Sequence, residues 1–110
     1  NPILVNNLGE ALLEICEKNL IGTYNLAGSE KCSKLGFANK IAKVFNLNSE
    51  LIIPSNSDNA NFKAKRPKDT TLNVKKIQGI LSTKLLNVEE GLRKFKELKE
   101  ERFVKLLKKN

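Results

Sequence analysis

Three stretches of the chain place apolar residues at helical spacing. Leu8, Ala11, Leu12, Ile15 and Cys16 recur every three or four positions, which puts them on one face of a helix from Asn7 to about Asn19. Asn7 is placed to cap it, with Glu10 in capping-box position three residues later. Asn19 suits its end, because asparagine tolerates the left-handed conformation. Phe37, Ala38, Ile41, Ala42, Val44 and Phe45 form a broader face on a second helix, from the cap Ser33 to about Asn46. Asn87-Val88-Glu89-Glu90 reads as another capping box. It opens a long helix with Val88, Leu92, Phe95 and Leu98 toward the core. Beyond Glu101 that helix turns more basic, and residues 103–110 are expected to be a frayed tail.

Two shorter apolar segments read as strands. Gly22-Thr23-Tyr24-Asn25-Leu26-Ala27-Gly28 has β-prone residues between two glycines, and Leu51-Ile52-Ile53-Pro54 is stopped by its proline. A polar loop from Ser55 to Asn61 continues through Phe62 to Asp69, where Pro67 pushes Arg66 toward an extended backbone. A helical turn from Asn73 to about Gln78 follows, with Asn73 as cap and Val74 and Ile77 inward. The order of helix, strand, helix, strand, loop and helix predicts an α/β chain, helices with a few short strands. Two short strands do not make a stable sheet. The apolar strand at Thr23–Leu26 wants a partner sheet that the chain does not contain. The chain, 1–110, is therefore expected to be a single subdomain cut from a larger protein, with apolar surface exposed on its first helix and first strand.

With 110 residues there is room for one domain, and 40% apolar against 29% charged residues is a globular balance. No apolar run approaches the roughly 18 residues of a spanning helix, and the start lacks a signal-peptide pattern. Cytoplasmic location is the expectation. The absence of Met fits a piece of something longer. Cys16 and Cys32 are too few for a disulfide scaffold and are expected to be small buried thiols. Without His, or cysteines at ligand spacing, a metal site is not expected. The net charge of +8 raises nucleic acid as a partner. Its excess lies in the last third, however, where Arg93, Lys94, Lys96 and Lys99 alternate with Glu89, Glu90, Glu97 and Glu100. Mixed signs at helical spacing read first as a solvated face, and a pocket for an anionic small ligand adds positive charge of its own. A standalone nucleic-acid module is the minor reading, since no stacking or helix-turn-helix signature is present.

No residue is assigned to catalysis. The glycines at 9, 22, 28, 36, 79 and 91 are not spaced as a dinucleotide fingerprint or P-loop. A Ser-His-Asp triad is impossible, and the adjacent carboxylates Glu89-Glu90 and Glu100-Glu101 read as solvated helix charges. The distinctive chemistry is Lys63-Ala64-Lys65-Arg66-Pro67-Lys68-Asp69-Thr70-Thr71, four cations, one carboxylate and two hydroxyls on one loop. A guanidinium grips phosphate through two parallel hydrogen bonds, and proline stiffens the loop that presents it. Asp69 can accept from sugar hydroxyls, and Thr70 and Thr71 offer neutral donors. On the residues alone, the alternative is a lysine-rich surface loop.

Several of these segments together resemble one family. Asn1 to Ala11 is similar to the stretch that opens the C-terminal region of dTDP-4-dehydrorhamnose reductases. Gly22-Thr23-Tyr24-Asn25-Leu26-Ala27-Gly28-Ser29-Glu30 resembles their Gly-Ile-Tyr-His-Val-Ala-Gly-Ser-Glu segment, and Ser33 to Phe45 the helix after it. Arg66-Pro67-Lys68-Asp69-Thr70-Thr71-Leu72-Asn73-Val74-Lys75-Lys76 resembles the motif Arg-Pro-x-x-Ser/Thr-Ser/Thr-Leu-Asp-x-x-Lys, with Asn73 where the family usually has Asp. Glu89-Glu90-Gly91-Leu92 is similar to the start of the last helix.

The resemblance implies the C-terminal, substrate-binding subdomain of an extended short-chain dehydrogenase/reductase whose N-terminal Rossmann domain is missing here. That domain would bind NADPH and carry a Tyr-x-x-x-Lys pair, so this chain would bind no cofactor and be inactive alone. Tyr24 is followed four residues later by Gly28, so it is not that tyrosine. The implied ligand is a nucleotide-sugar, reduced at its 4-keto group by the complete enzyme. The implied binding residues are Arg66 at the diphosphate and Asp69 at the ribose, with Lys65 and Thr71 beside them. Expected partners are that substrate, the Rossmann domain in cis or as a separate chain, and further copies of the chain; no membrane is expected. A non-catalytic relative, such as a regulatory subunit of methionine adenosyltransferase, carries the same motifs and is the alternative.

Overall fold

The computed structural model describes residues 1–56, 63–64 and 66–101. They form α1 (Val5–Glu17), α2 (Lys34–Phe45), a 3-10 turn (Ser49–Leu51), the short α3 (Lys75–Gln78) and α4 (Val88–Glu100). Where a helix end is set by its own neighbours, it lies where the sequence places it. Ser33 Oγ accepts from the Gly36 N–H at 3.0 Å, and Asn73 Oδ1 accepts from the Lys75 N–H at 3.1 Å. Asn87 and Glu90 close a reciprocal capping box on α4. Asn19 and Asn46 both adopt positive φ, 50° and 53°. At each the chain returns a pair of N–H groups to the preceding turn, Asn19 to Cys16 and Leu20 to Ile15, Asn46 to Lys43 and Leu47 to Ala42.

The start of α1 departs from expectation. The helix begins at Val5, its N-cap Leu4 makes no side-chain cap bond, and Asn7 lies inside it, buried. Asn7 is tied instead to residues 84 and 86, so a tertiary partner has taken the amide that a local cap would have used. The buried line of α1 runs through Asn7, Ala11 and Ile15, at four-residue spacing. Leu12 and Cys16 roll off that narrow line. Cys16 is exposed and Cys32 half-buried, both free thiols, which corrects the expectation of two buried ones. Val5, Leu12 and Leu13 lie open on α1, as the apolar surface expected there.

The α/β expectation is corrected to helices joined by irregular segments, for the described residues contain no strand. A strand needs an edge to pair with, and neither apolar segment finds one. The segment 22–28 is instead threaded along the edge of the core, with Ala27 buried, Tyr24 and Leu26 half-buried beside it, and Gly22, Thr23 and Asn25 exposed. Single bonds hold its end, from the Gly28 N–H to Asn1 O at 3.3 Å and from the Ser29 N–H to Leu86 O at 3.2 Å. Around Leu51 the chain makes its 3-10 turn, capped by Asn48, and leaves Leu51 and Ile53 exposed.

Two apolar clusters hold these pieces. Ala11, Ala27, Val74, Ile77 and Leu85 form the first, which joins α1 to the threaded segment and α3. Val44, Val88 and Leu92 form the second, between α2 and α4, with Phe37, Ile41 and Phe45 against it. Phe95, expected in that core, is half exposed and meets Phe45 edge-on at 6.0 Å between centroids. The expected tail, 103–110, lies outside the described residues.

Carboxylates tie the elements together. Glu14 on α1 pairs with Lys18 and accepts from the backbone N–H groups of Ser82 and Thr83. Glu30 pairs with Lys40 of α2 and accepts from the Val88 N–H at the start of α4, at 3.0 Å. Lys18, with the residue 82–83 donors, holds the Glu14 carboxyl well below the usual range; Lys40 and Val88 lower Glu30, Arg93 lowers Glu89, and Lys84 lowers Glu90. A carboxyl whose pKa is lower folded than unfolded contributes stability in full above its unfolded pKa, about 4.3 for Glu, and loses it as pH falls through the folded value. The urea midpoint is therefore expected to show no histidine step between about pH 5 and 8 and to fall steadily below about pH 4.5. Glu14→Gln should lower the midpoint at neutral pH and make the acid limb shallower. A wild-type midpoint unchanged down to about pH 3 would contradict these assignments.

Candidate functional site

The basic loop is exposed throughout its described part, residues 63–64 and 66–71. Lys65 lies outside the described residues. The loop is braced at its C-terminal end. Asp69 Oδ1 accepts from both the N–H of Thr71 at 3.0 Å and its hydroxyl at 2.6 Å, a local turn that aspartate forms readily. Its Oδ2 pairs with the Lys31 ammonium, which comes from the turn after the threaded segment. Lys31, then Thr71, hold the Asp69 carboxyl well below the ordinary carboxylate range, so it is an anion at any physiological pH. One step further, Asn1 spans two segments. Its amide N donates to Gly28 O at 2.9 Å and Leu72 O at 3.1 Å, while its Oδ1 accepts from the Leu72 N–H at 3.1 Å. Asn25 adds a donor to Asn73 O at 3.4 Å.

The structure thus brings Asp69 and Thr71 together and sets them against the turn at residues 28–31. Arg66 and Lys68 stand exposed on the same loop. Asn73, where the resembled motif has aspartate, accepts from the Lys75 N–H just ahead of α3, whose N-cap is Val74. Sequence reasoning missed Lys31 and Asn1. Lys31 is paired 38 positions away and Asn1 71 positions away, so no local pattern marks either. Lys63, Arg66 and Lys68 are exposed along this loop, and Lys31 is paired with its Asp69.

Among the described residues no three His, Cys, Asp or Glu side chains could share a metal ion. Tyr24 donates its hydroxyl to Ile21 O at 3.2 Å, and the Lys76 ammonium lies over its ring, 4.4 Å from the centroid. The lysine faces the π cloud and not the hydroxyl, as in a cation–π contact. The α2 N-terminus is closed by Ser33, and that of α4 by Asn87 with Glu30 alongside, with no glycine-rich turn leading into either. On α4 Arg93 pairs with Glu89 and Lys94 with Glu97, while the Lys96 ammonium donates to Val44 O. A cleft of about 300 Å³ lies between residues 2–5, α2 and α4, but Phe37, Ile41, Phe45, Leu92 and Phe95 make it apolar and no charged side chain lines it.

The family model for the RmlD substrate binding domain matches residues 1–100. The chain belongs to that family. The RmlD substrate binding domain is the substrate-binding domain of dTDP-4-dehydrorhamnose reductase-like proteins, and the match includes all four helices and the braced loop. No curated protein and no solved structure matches the chain. Among the described residues no helix of this RmlD-type domain is long and apolar enough to cross a membrane. Membership supports a substrate-binding role of the sugar-nucleotide reductase kind.

Proposed function

We propose that the loop at residues 65–71 grips the diphosphate of a nucleotide-sugar, as the substrate-binding part of an NADPH-dependent reductase acting on a 4-keto deoxy-sugar nucleotide. The observation that carries this is the bracing of the loop. A lysine-rich surface loop with no ligand has no need of a carboxylate anchored from two sides, yet Asp69 is anchored by Lys31 and Thr71 within a family defined by substrate binding. In this reading Arg66 holds the diphosphate by paired, charge-assisted hydrogen bonds, and Lys65 adds charge beside it. Asp69 accepts from a ribose hydroxyl. Three donors already occupy it out of roughly four acceptor positions on a carboxylate, which leaves it one such bond to make. Thr71 spends its hydroxyl proton on Asp69 and so helps to set that carboxylate's direction. The cofactor and the hydride-transfer residues belong to the remainder of the reductase.

Arg66→Ala in the complete protein tests the reading, with dTDP-glucose binding followed by calorimetry. Affinity is expected to fall by about 2–3 kcal/mol, roughly 30- to 150-fold. An unchanged dissociation constant would remove Arg66, and with it the loop, from the ligand site.

A further inference from the structure

We infer that Lys31 is a positioning residue for the ligand loop, acting on Arg66 through its ion pair with Asp69. The inference rests on the reading of that loop as the nucleotide-sugar grip. Lys31 and Asp69 are 38 residues apart, so their pair fixes the relation of two otherwise separate segments. The Asn1 and Asn25 ties act farther along, at residues 72 and 73, whereas Lys31 acts only three positions from Arg66. The two Asp69 oxygens are held from opposite partners, Oδ1 by Thr71 and Oδ2 by Lys31. Removing Lys31 frees Oδ2, with Oδ1 still held by Thr71, and takes the cation from a carboxylate three positions from the guanidinium meant for phosphate. That carboxylate would compete for Arg66 and repel an anionic ligand. The pair is well exposed, with side chains 66% and 52% accessible. Exposed pairs of this kind contribute little to folding, so the consequence of losing this one falls on the order of the loop and on its charge.

The experiment measures dTDP-glucose affinity and melting temperature in the complete protein for Lys31→Met, Lys31→Arg, Asp69→Asn and the Lys31→Met/Asp69→Asn pair. Lys31→Met should weaken binding about fivefold with melting shifted by no more than about 2 °C, and Lys31→Arg should recover wild-type affinity within about twofold. In the Asp69→Asn background, Lys31→Met should cost less than about twofold more, because the group it acts through is already neutral. An equal loss in both backgrounds overturns the inference, since Lys31 would then act independently of Asp69. So does a large fall in melting temperature that arginine does not rescue. Unchanged affinity in Lys31→Met alongside weakened binding in Arg66→Ala overturns this role and leaves the nucleotide-sugar reading standing. No effect from either variant overturns both.

Discussion

Gly28→Ala is expected to destabilise the protein by about 3 kcal/mol, the upper end for forcing an added carbon into a packed site. A Cβ at Gly28 would lie 1.9 Å from the carbonyl oxygen of Pro2 and 2.9 Å from its carbon, with Leu86 O at 3.5 Å. All of these atoms are backbone, so no side chain can swing aside. The N-terminal segment would have to move, and it is bonded at this point, with Asn1 O taking the Gly28 N–H and the Asn1 amide donating to Gly28 O. The same Asn1 amide group holds Leu72, so the displacement should also loosen the braced loop and weaken dTDP-glucose binding. Urea unfolding of the variant measures the first effect and calorimetry the second. Gly9→Ala is the control, because nothing lies within 4 Å of a Cβ there and a helix-interior glycine replaced by alanine should gain about 0.5–1 kcal/mol. If Gly28→Ala behaves like Gly9→Ala, the contact between residues 1–2 and Gly28 is absent from the folded protein.

The contrast between these glycines shows which features the sequence could reveal. Ser33, Asn87 with Glu90, and the left-handed Asn19 were legible because each acts on a backbone group within a turn of itself. The face of α3 was legible for the same reason, and Val74 and Ile77 are buried as expected. The apolar segments at 22–28 and 51–54 were not, because their composition suits a pleated surface while the pairing edge comes from elsewhere in the chain. On α1 the periodicity located the helix but not its buried line, since the choice between Ala11 and Leu12 depends on what packs against it. The loop was legible as chemistry, through Arg66, Pro67, Asp69 and Thr71. Its partners were not, since Lys31 and Asn1 are brought to it only by folding.

Asn7→Ala is expected to cost about 2–4 kcal/mol, more than a cap would, because it strips two part-buried backbone groups of their partner at once. Asn7 is 3% exposed; its amide N donates to Lys84 O at 2.9 Å and its Oδ1 accepts from the Leu86 N–H at 2.9 Å. One side chain thus serves residues 84–86 as a neighbouring strand would, and Leu85 between them is buried in the core. The same stretch receives the Ser29 N–H on Leu86 O and leads directly into the Asn87 cap of α4, so α1, the threaded segment and α4 share this junction. Asn7→Asp separates the two bonds. It keeps the acceptor for Leu86 but turns a carboxylate toward the Lys84 carbonyl, where only a protonated carboxyl can donate. Burial and that carbonyl should raise the pKa of the introduced Asp above its unfolded value of about 3.9. Its penalty is then full above the folded pKa and is relieved as pH falls through it toward the unfolded one. Relative to wild type, Asn7→Asp should therefore regain stability as pH falls toward about 4, whereas Asn7→Ala should show no such recovery. Parallel pH dependence of the two variants in urea unfolding would mean that the amide N contributes nothing, and a loss below about 1 kcal/mol for Asn7→Ala would mean that water reaches both backbone groups in its place.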